Sequence, residues 1–420
     1  RLHRITETQR QLSSCPVLFA WDGQRYVFVS DLLGVGGMGY FVEPGVYAPP
    51  RPWENYLLPD GLLQPRDDRY RLKIGEPMEE AAYLDSMRLA AWDLPPGWSM
   101  VLDERMGILG PEPTGDAVFY REQRLPGRAT DTQGRDVTAA VTKADLHAPA
   151  VGELDRRFIG RLMEPQLLTL EFDAPLDRPG ASPVLVIDGW VEYPYSQTMF
   201  AAWQAAADYR APTLQARDAA GRWHTLMEQF GYPAGMPRRM SVPLGKLPAG
   251  TDALRLSTNQ EIYWDRVAVV YSEPLPAAVR HELPLSDAEV GFSGFALRTT
   301  GSQRQPHYDY DRRSPLWDTR HIRGHYTDFG RATELLAEAD DALAIIGPGE
   351  EVHLEFEDDL PQLQSGWQRH FVLESRGWAK DMDLYTEHGN TLEPLPDSGR
   401  PAARRDELHE RYNRRYRSGI

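Results

Sequence analysis

The densest set of residues able to hold a ligand lies between Gly189 and Tyr271, where Trp190, Tyr193, Tyr195, Trp203, Tyr263 and Trp264 supply aromatic faces. Sugar rings stack on exposed aromatic faces, and neighbouring amides or carboxylates fix their hydroxyls. Gln197, Asn259 and Asp265 complete such a recognition patch. Strand alternation turns part of any such set inward, so core packing competes with recognition at each aromatic.

Metal chemistry has one candidate cluster, His307 and Asp309 with His321 and His325. Two histidines four apart share a face only on a helix, and Gly324 between them weakens that helix. No glutamate follows the first histidine, so the His-Glu-x-x-His pattern of a metalloprotease is missing. Asp131, Asp136 and Asp145 are calcium candidates, but they lack the alternating oxygen ligands of an EF-hand loop. Solvated turn carboxylates and surface histidines are the simpler reading, and no cofactor is expected.

Ser196 and Ser293 are the serines placed as nucleophiles would be, yet Ser293 lacks the Gly-x-Ser-x-Gly spacing of a nucleophile elbow. Asp381 and Asp383 are one of many carboxylate pairs that acid-base work in a cleft would use. The glycine run Gly34-Val35-Gly36-Gly37-Met38-Gly39 precedes no long helix and no Gly-Lys-Ser/Thr, so it predicts a mobile surface loop rather than a phosphate cradle.

Composition bounds the partners. The net charge of -16 arises from 62 acidic against 46 basic residues, which repels a nucleic-acid backbone. All basic residues but Lys73, Lys143, Lys246 and Lys380 are arginine. Cys15 is the only cysteine, so no disulfide closes within the chain, and a buried apolar thiol is expected. No apolar run is long enough for a membrane-spanning helix. The start at Arg1, without an initiator methionine or a signal sequence, leads us to expect a processed or truncated piece.

These residues must be positioned by short strands. Prolines and glycines spread along all 420 residues, which predicts many strands with frequent turns and an all-β fold with minor α. Asp22-Gly23 between two β-rich runs predicts a hairpin, and alternation puts Tyr70, Leu72 and Ile74 on one face. The alanine-rich Thr198–Asp208 stretch predicts one short helix. Tandem domains are expected: a connector over 1–14, an N-terminal β domain over 15–125, a jelly-roll-like β-sandwich over 126–275, a β-rich domain over 276–396 and an arginine-rich extended tail over 397–420 that docks a partner.

Ser14-Cys15-Pro16-Val17-Leu18-Phe19-Ala20-Trp21-Asp22-Gly23 and Val29–Gly34 resemble a recurrent module of large secreted bacterial proteins. Those proteins carry FG-GAP repeats, ASPIC/UnbV segments or tetratricopeptide repeats, and the set overlaps the cartilage-acidic-protein-like family. The resemblance continues through Tyr83-Leu84-Asp85, Gly189–Thr198, Gly231–Gly235, Thr258–Asp265 and Gly377–Asp383. It implies export to the cell surface, the extracellular space or the periplasm, and carries over no catalytic residue. Trp264-Asp265-Arg266-Val267 also resembles the last strands of galactose-binding-like jelly rolls. A non-catalytic binding or scaffold protein is therefore expected, docking on a protein assembly, a larger parent polypeptide or a surface polysaccharide. The alternative is a glycan-active or metal-dependent hydrolase with its site in the third domain.

Overall fold

The computed structural model describes residues 15–107, 110–315 and 320–419, so the expected connector over 1–14 lies outside the described residues. The chain is mostly β, 46% strand and 7% helix, as its punctuation predicts. Among the described residues no helix is long and apolar enough to cross a membrane.

The predicted hairpin forms: Val17–Trp21 pairs antiparallel with Tyr26–Asp31. Asp22 Oδ1 accepts the N–H groups of Gln24 and Arg25 at 2.8 Å each, and Gly23 takes the positive φ of 98° that the turn requires. Tyr70, Leu72 and Ile74 are buried on one face of Arg69–Gly75, as alternation predicts.

The strands do not divide along the chain as the expected domains do. One six-stranded sheet runs Tyr26–Asp31, Val17–Trp21, Arg69–Gly75, Glu350–Glu357, Leu285–Phe292, Gly330–Arg331. The other runs Val279–Leu283, Glu80–Leu94, Gln368–Asp381, Trp53–Leu57, with Ala344–Ile346 attached to Glu80–Leu94. Both sheets mix strands from 15–125 with strands from 276–396 and share one core that includes Leu18, Leu72, Leu84, Leu354 and Leu373. The first and third regions thus build a single sandwich, and the central region is an insertion between its halves.

Glu80–Leu94 is buried almost throughout because both of its faces are covered. A bulge opposite Arg376 and Gly377 flips its alternation, so Ala82 and Leu84 share a core with Met87 and Leu89. Asp85 sits within that bulge, fully buried, paired with Arg376 and accepting the N–H of Asp341 at 2.9 Å.

The insertion is built on one eight-stranded sheet organised by Ala253–Ser272. Its first part pairs with Arg161–Glu171 and Thr213–Arg217, and its second with Ser182–Glu192, which in turn pairs with Arg238–Pro243. No sheet closes into a barrel. The predicted helix forms over Ser196–Gln204.

The arginine-rich tail is not an extended arm. Ala402–Tyr412 is a helix that buries Leu408, and Arg415–Arg417 pairs with Gly324–Tyr326. Arg415 makes a two-pronged contact with buried Glu350 at 2.7 and 2.9 Å. The charges that suggested a free tail serve internal ion pairs.

Candidate functional site

A chamber of about 140 Å³ lies where the outer sandwich meets the insertion. The first half of the outer sandwich contributes Cys15, Tyr40, Glu80 and Arg105; the insertion contributes Tyr193, Ser196, Phe230 and Tyr232; the second half contributes Asp381 and Thr386. Met38 and Met106 complete its apolar wall.

The glycine run is packed, not a mobile surface loop, and forms one wall. Met38 N–H donates to the Ala379 carbonyl at 2.8 Å, laying the run against the end of Gln368–Asp381. A Cβ at Gly36 would stand 2.7 Å from the Gly377 carbonyl oxygen. One at Gly39 would stand 2.7 Å from the Glu387 carbonyl oxygen, and Gly39 has a φ of +69°. Glycine is needed here for close backbone approach.

Ser196 fixes the opposite wall. Its Oγ accepts the Phe41 N–H at 3.1 Å and the Thr386 hydroxyl at 3.1 Å, joining all three parts of the chain. Asp383 accepts the Gln197 N–H at 2.9 Å and the Tyr385 N–H at 2.8 Å, so it anchors the start of the helix, where a carboxylate is favoured. The sequence pair Asp381 and Asp383 is therefore split: one lines the chamber and the other holds its frame.

The chamber keeps its hydroxyls and thiol protonated. Burial lifts the Cys15 thiol well above its ordinary range, with the charges of Glu80 and Asp31 adding to the effect. Burial likewise lifts the phenols of Tyr40 and Tyr193, and pushes Tyr232 up to about 12. The Cys15 Sγ lies 3.2 Å from the Tyr193 hydroxyl. The Tyr40 hydroxyl donates to the Pro194 carbonyl at 2.9 Å, so the lining offers the phenol of Tyr232, carboxylate acceptors and apolar faces. Arg105, which lines the chamber, is tied to Asp103 at 2.6 Å and to the Pro111 carbonyl at 2.8 Å, while its buried Nε–H meets no acceptor among the described residues.

Of the residues proposed from sequence, Tyr193 lines the chamber, and Gln197 reaches its frame through the backbone. Tyr195 is buried immediately before the helix, with its ring 6.1 Å from that of Tyr193. Trp190, Tyr263, Trp264, Asn259 and Asp265 do not join a recognition patch. Trp190 is 1% exposed, stacks on Tyr263 with centroids 5.3 Å apart, and donates to the Gln303 carbonyl at 2.7 Å. Trp264 packs in the core of the insertion. Asn259 accepts the Arg210 N–H at 2.6 Å and donates to the Asp208 carbonyl at 3.1 Å. Asp265 accepts the N–H groups of Leu146 at 3.1 Å and His147 at 3.2 Å. These polar groups satisfy loop backbone that burial would otherwise strand.

The histidine cluster also disperses. His307 lies edge-on to Phe28, His321 to Tyr326, and His325 sits on a short strand against Tyr416. Asp309 is on Pro306–Arg313, where its Oδ1 accepts the Asp311 N–H at 3.1 Å. Among the described residues no group of three or more His, Cys, Asp or Glu side chains is arranged to hold a metal ion. Asp131 and Asp136 close local turns, accepting N–H groups of Gln133 and Thr138 at 2.9 Å each.

Sequence reasoning missed Glu80, Tyr40 and Arg105. The available signal was a carboxylate at the head of an otherwise apolar run, Glu80-Ala81-Ala82-Tyr83-Leu84, which no free strand face explains. Segments quoted for the family resemblance, around Cys15, Tyr193, Tyr232 and Ala379, converge on this chamber although they are far apart in sequence.

A second, larger cleft of about 400 Å³ is lined in part by Asp60, Ser99, Arg239, Asp265 and His370. His370 Nδ1 lies 2.6 Å from Asp60 Oδ1, and that contact holds the Asp60 carboxyl below its usual range. The buried Nε2 of His370 has no partner among the described residues.

Set against models of known protein families, curated protein sequences and solved structures, the chain matches none of them.

Proposed function

We propose that this protein works by non-catalytic recognition, taking one sugar ring of a surface glycan into the chamber between its outer sandwich and its insertion. The observation that carries this reading is the chamber's size and lining together. An apolar cavity of about 150 Å³ admits benzene, so a volume of about 140 Å³ suits a single six-membered ring. A hydroxylated ring needs apolar faces and in-plane donors and acceptors, which Phe230, Tyr193, Tyr232, Glu80 and Asp381 supply. With the Cys15 thiol held protonated, the lining favours holding over bond-making. The cell-envelope setting and the galactose-binding-like jelly roll belong to this proposal; the resemblance to secreted bacterial modules supports the first and the likeness at Trp264-Asp265-Arg266-Val267 the second.

The test is calorimetric titration with methyl pyranosides of glucose, galactose, mannose and N-acetylglucosamine. Binding by the native protein that weakens about tenfold or more in Tyr232→Phe or Asp381→Asn supports the reading. Absence of heat and of competition at about 10 mM for every sugar sinks it.

A hydrolase is the second reading, and one observation favours it: the Asp60–His370 pair is an imidazole oriented by a carboxylate beside a cleft, the arrangement of a general base. Release of reducing ends from a polysaccharide panel, lost in His370→Gln, would support it.

A further inference from the structure

The three elements that wall the chamber also carry an aromatic platform on the outer surface. On Ser196–Gln204, Ser196 lines the chamber, and Phe200 and Trp203 lie one and two turns further along the same side of the helix, beyond the chamber's lining. In the turn after Gln368–Asp381, Asp381 and Thr386 line the chamber, whereas Leu384 is 92% and Tyr385 38% exposed. In the hairpin of Phe41–Glu43 and Val46–Tyr47, the flanking Tyr40 and Ala48 line the chamber and Val46 is exposed.

The rings are contiguous. Phe200 stacks on Tyr385 with centroids 3.8 Å apart and planes inclined by 13°, lies 5.5 Å from Phe41, and lies 5.9 Å from Trp203, which is 48% exposed. Phe200 covers one face of Tyr385, and the residue remains 38% exposed. A soluble chain rarely presents such a patch without a use. Glu43, Gln204 and Glu387, each within two residues of Phe41, Trp203 or Tyr385, are exposed and add hydrogen-bonding groups beside the rings.

We propose that this platform is an extended subsite on which further residues of an oligosaccharide stack, with Tyr385 and Trp203 as the stacking rings. The assignment rests on the chamber's holding a terminal sugar ring. An oligosaccharide fits better than a lipid surface because the patch is bordered by acidic groups on a chain of net charge -16, which anionic headgroups would avoid. Flat rings beside amide and carboxylate groups also match the two-sided character of a pyranose, apolar on its faces and polar at its rim.

The experiment compares monosaccharides with α- and β-linked trisaccharides of the same four sugars, using the native protein, Trp203→Ala and Tyr385→Ala, with thermal melts confirming that each variant folds. The expected result is that the native protein binds a trisaccharide at least about tenfold more tightly than its monosaccharide. Each variant should lose most of that gain and keep native monosaccharide affinity. Equal affinity for both lengths in the native protein overturns the platform while leaving the chamber reading intact. So does a gain that survives both substitutions. Failure of every monosaccharide and trisaccharide to bind overturns both. If the variants change only self-association, measured by sedimentation, the patch is a contact between copies of this chain and the platform is wrong.

Discussion

The Cys15 thiol and the Tyr193 hydroxyl meet at 3.2 Å across 178 residues of sequence, linking the segment that leads into Val17–Trp21 to the insertion. A thiol in this position is screened from solvent and held protonated by burial and by nearby carboxylates. The folded protein should therefore resist iodoacetamide at about pH 8 and react at once in denaturant. Alkylation of the native protein at the rate of a free thiol would show that the chamber wall opens.

Trp190 is a structural residue. Trp190→Phe keeps most of the stack on Tyr263 but drops the bond to the Gln303 carbonyl, and should cost about 1–2 kcal/mol. Urea melts measure the cost, and ligand affinity should not change. A loss of binding with unaltered stability would return Trp190 to the recognition surface.

Glu192 makes stability depend on pH. Burial lifts its carboxyl from 4.5 to about 8; Arg304 opposes the rise and the charge of Glu261 adds to it. The folded state then holds the proton more tightly than the unfolded one. Its contribution is fully present below about pH 4.5 and is lost as pH rises through about 8. Glu192→Gln mimics the protonated form, so the variant should melt higher than the native protein at about pH 9 and the gap should close near pH 5. Melting curves with a constant gap would contradict this.

Gly39→Ala should disrupt the chamber without touching its lining groups. The added Cβ meets the Glu387 carbonyl at a positive φ, and a cost of about 1–3 kcal/mol is expected. The melt should be lowered and ligand affinity reduced together. Gly45, whose Cβ would meet nothing within 4 Å, is the control for backbone strain alone.

Arg415→Met leaves the buried carboxylate of Glu350 without its main partner, and should cost about 3–5 kcal/mol by urea melts. Wild-type stability in this variant would mean that the C-terminal helix and strand do not hold the sandwich together.

The local parts of this fold were legible because they obey local rules. Asp22-Gly23 fixes a hairpin and Tyr70-Arg71-Leu72-Lys73-Ile74 alternates, and neither depends on distant sequence. What pairs with Arg69–Gly75 was not legible, since its neighbour Glu350–Glu357 lies far along the chain and matches it only through burial. The same limit hid the site. Tyr193 stood out as an aromatic, but Glu80 and Asp381 gain meaning only when their strands lie side by side, as Lys380↔Ala81 and Asp381↔Glu80 in one register. Asn259 and Asp265 misled because a loop backbone in need of partners cannot be seen in sequence.

The insertion between two halves of one sandwich orders events during synthesis. Residues of the insertion leave the ribosome with all their pairing partners and can fold at once. The outer sheets must wait for Glu350–Glu357 and Gln368–Asp381, and the chamber for Thr386 after them. A nascent chain halted before Gln368 would therefore hold a finished inner module beside exposed strand edges and have no chamber. The chamber is thus a late product of synthesis, closed only after residues as far apart as Cys15 and Thr386 have met.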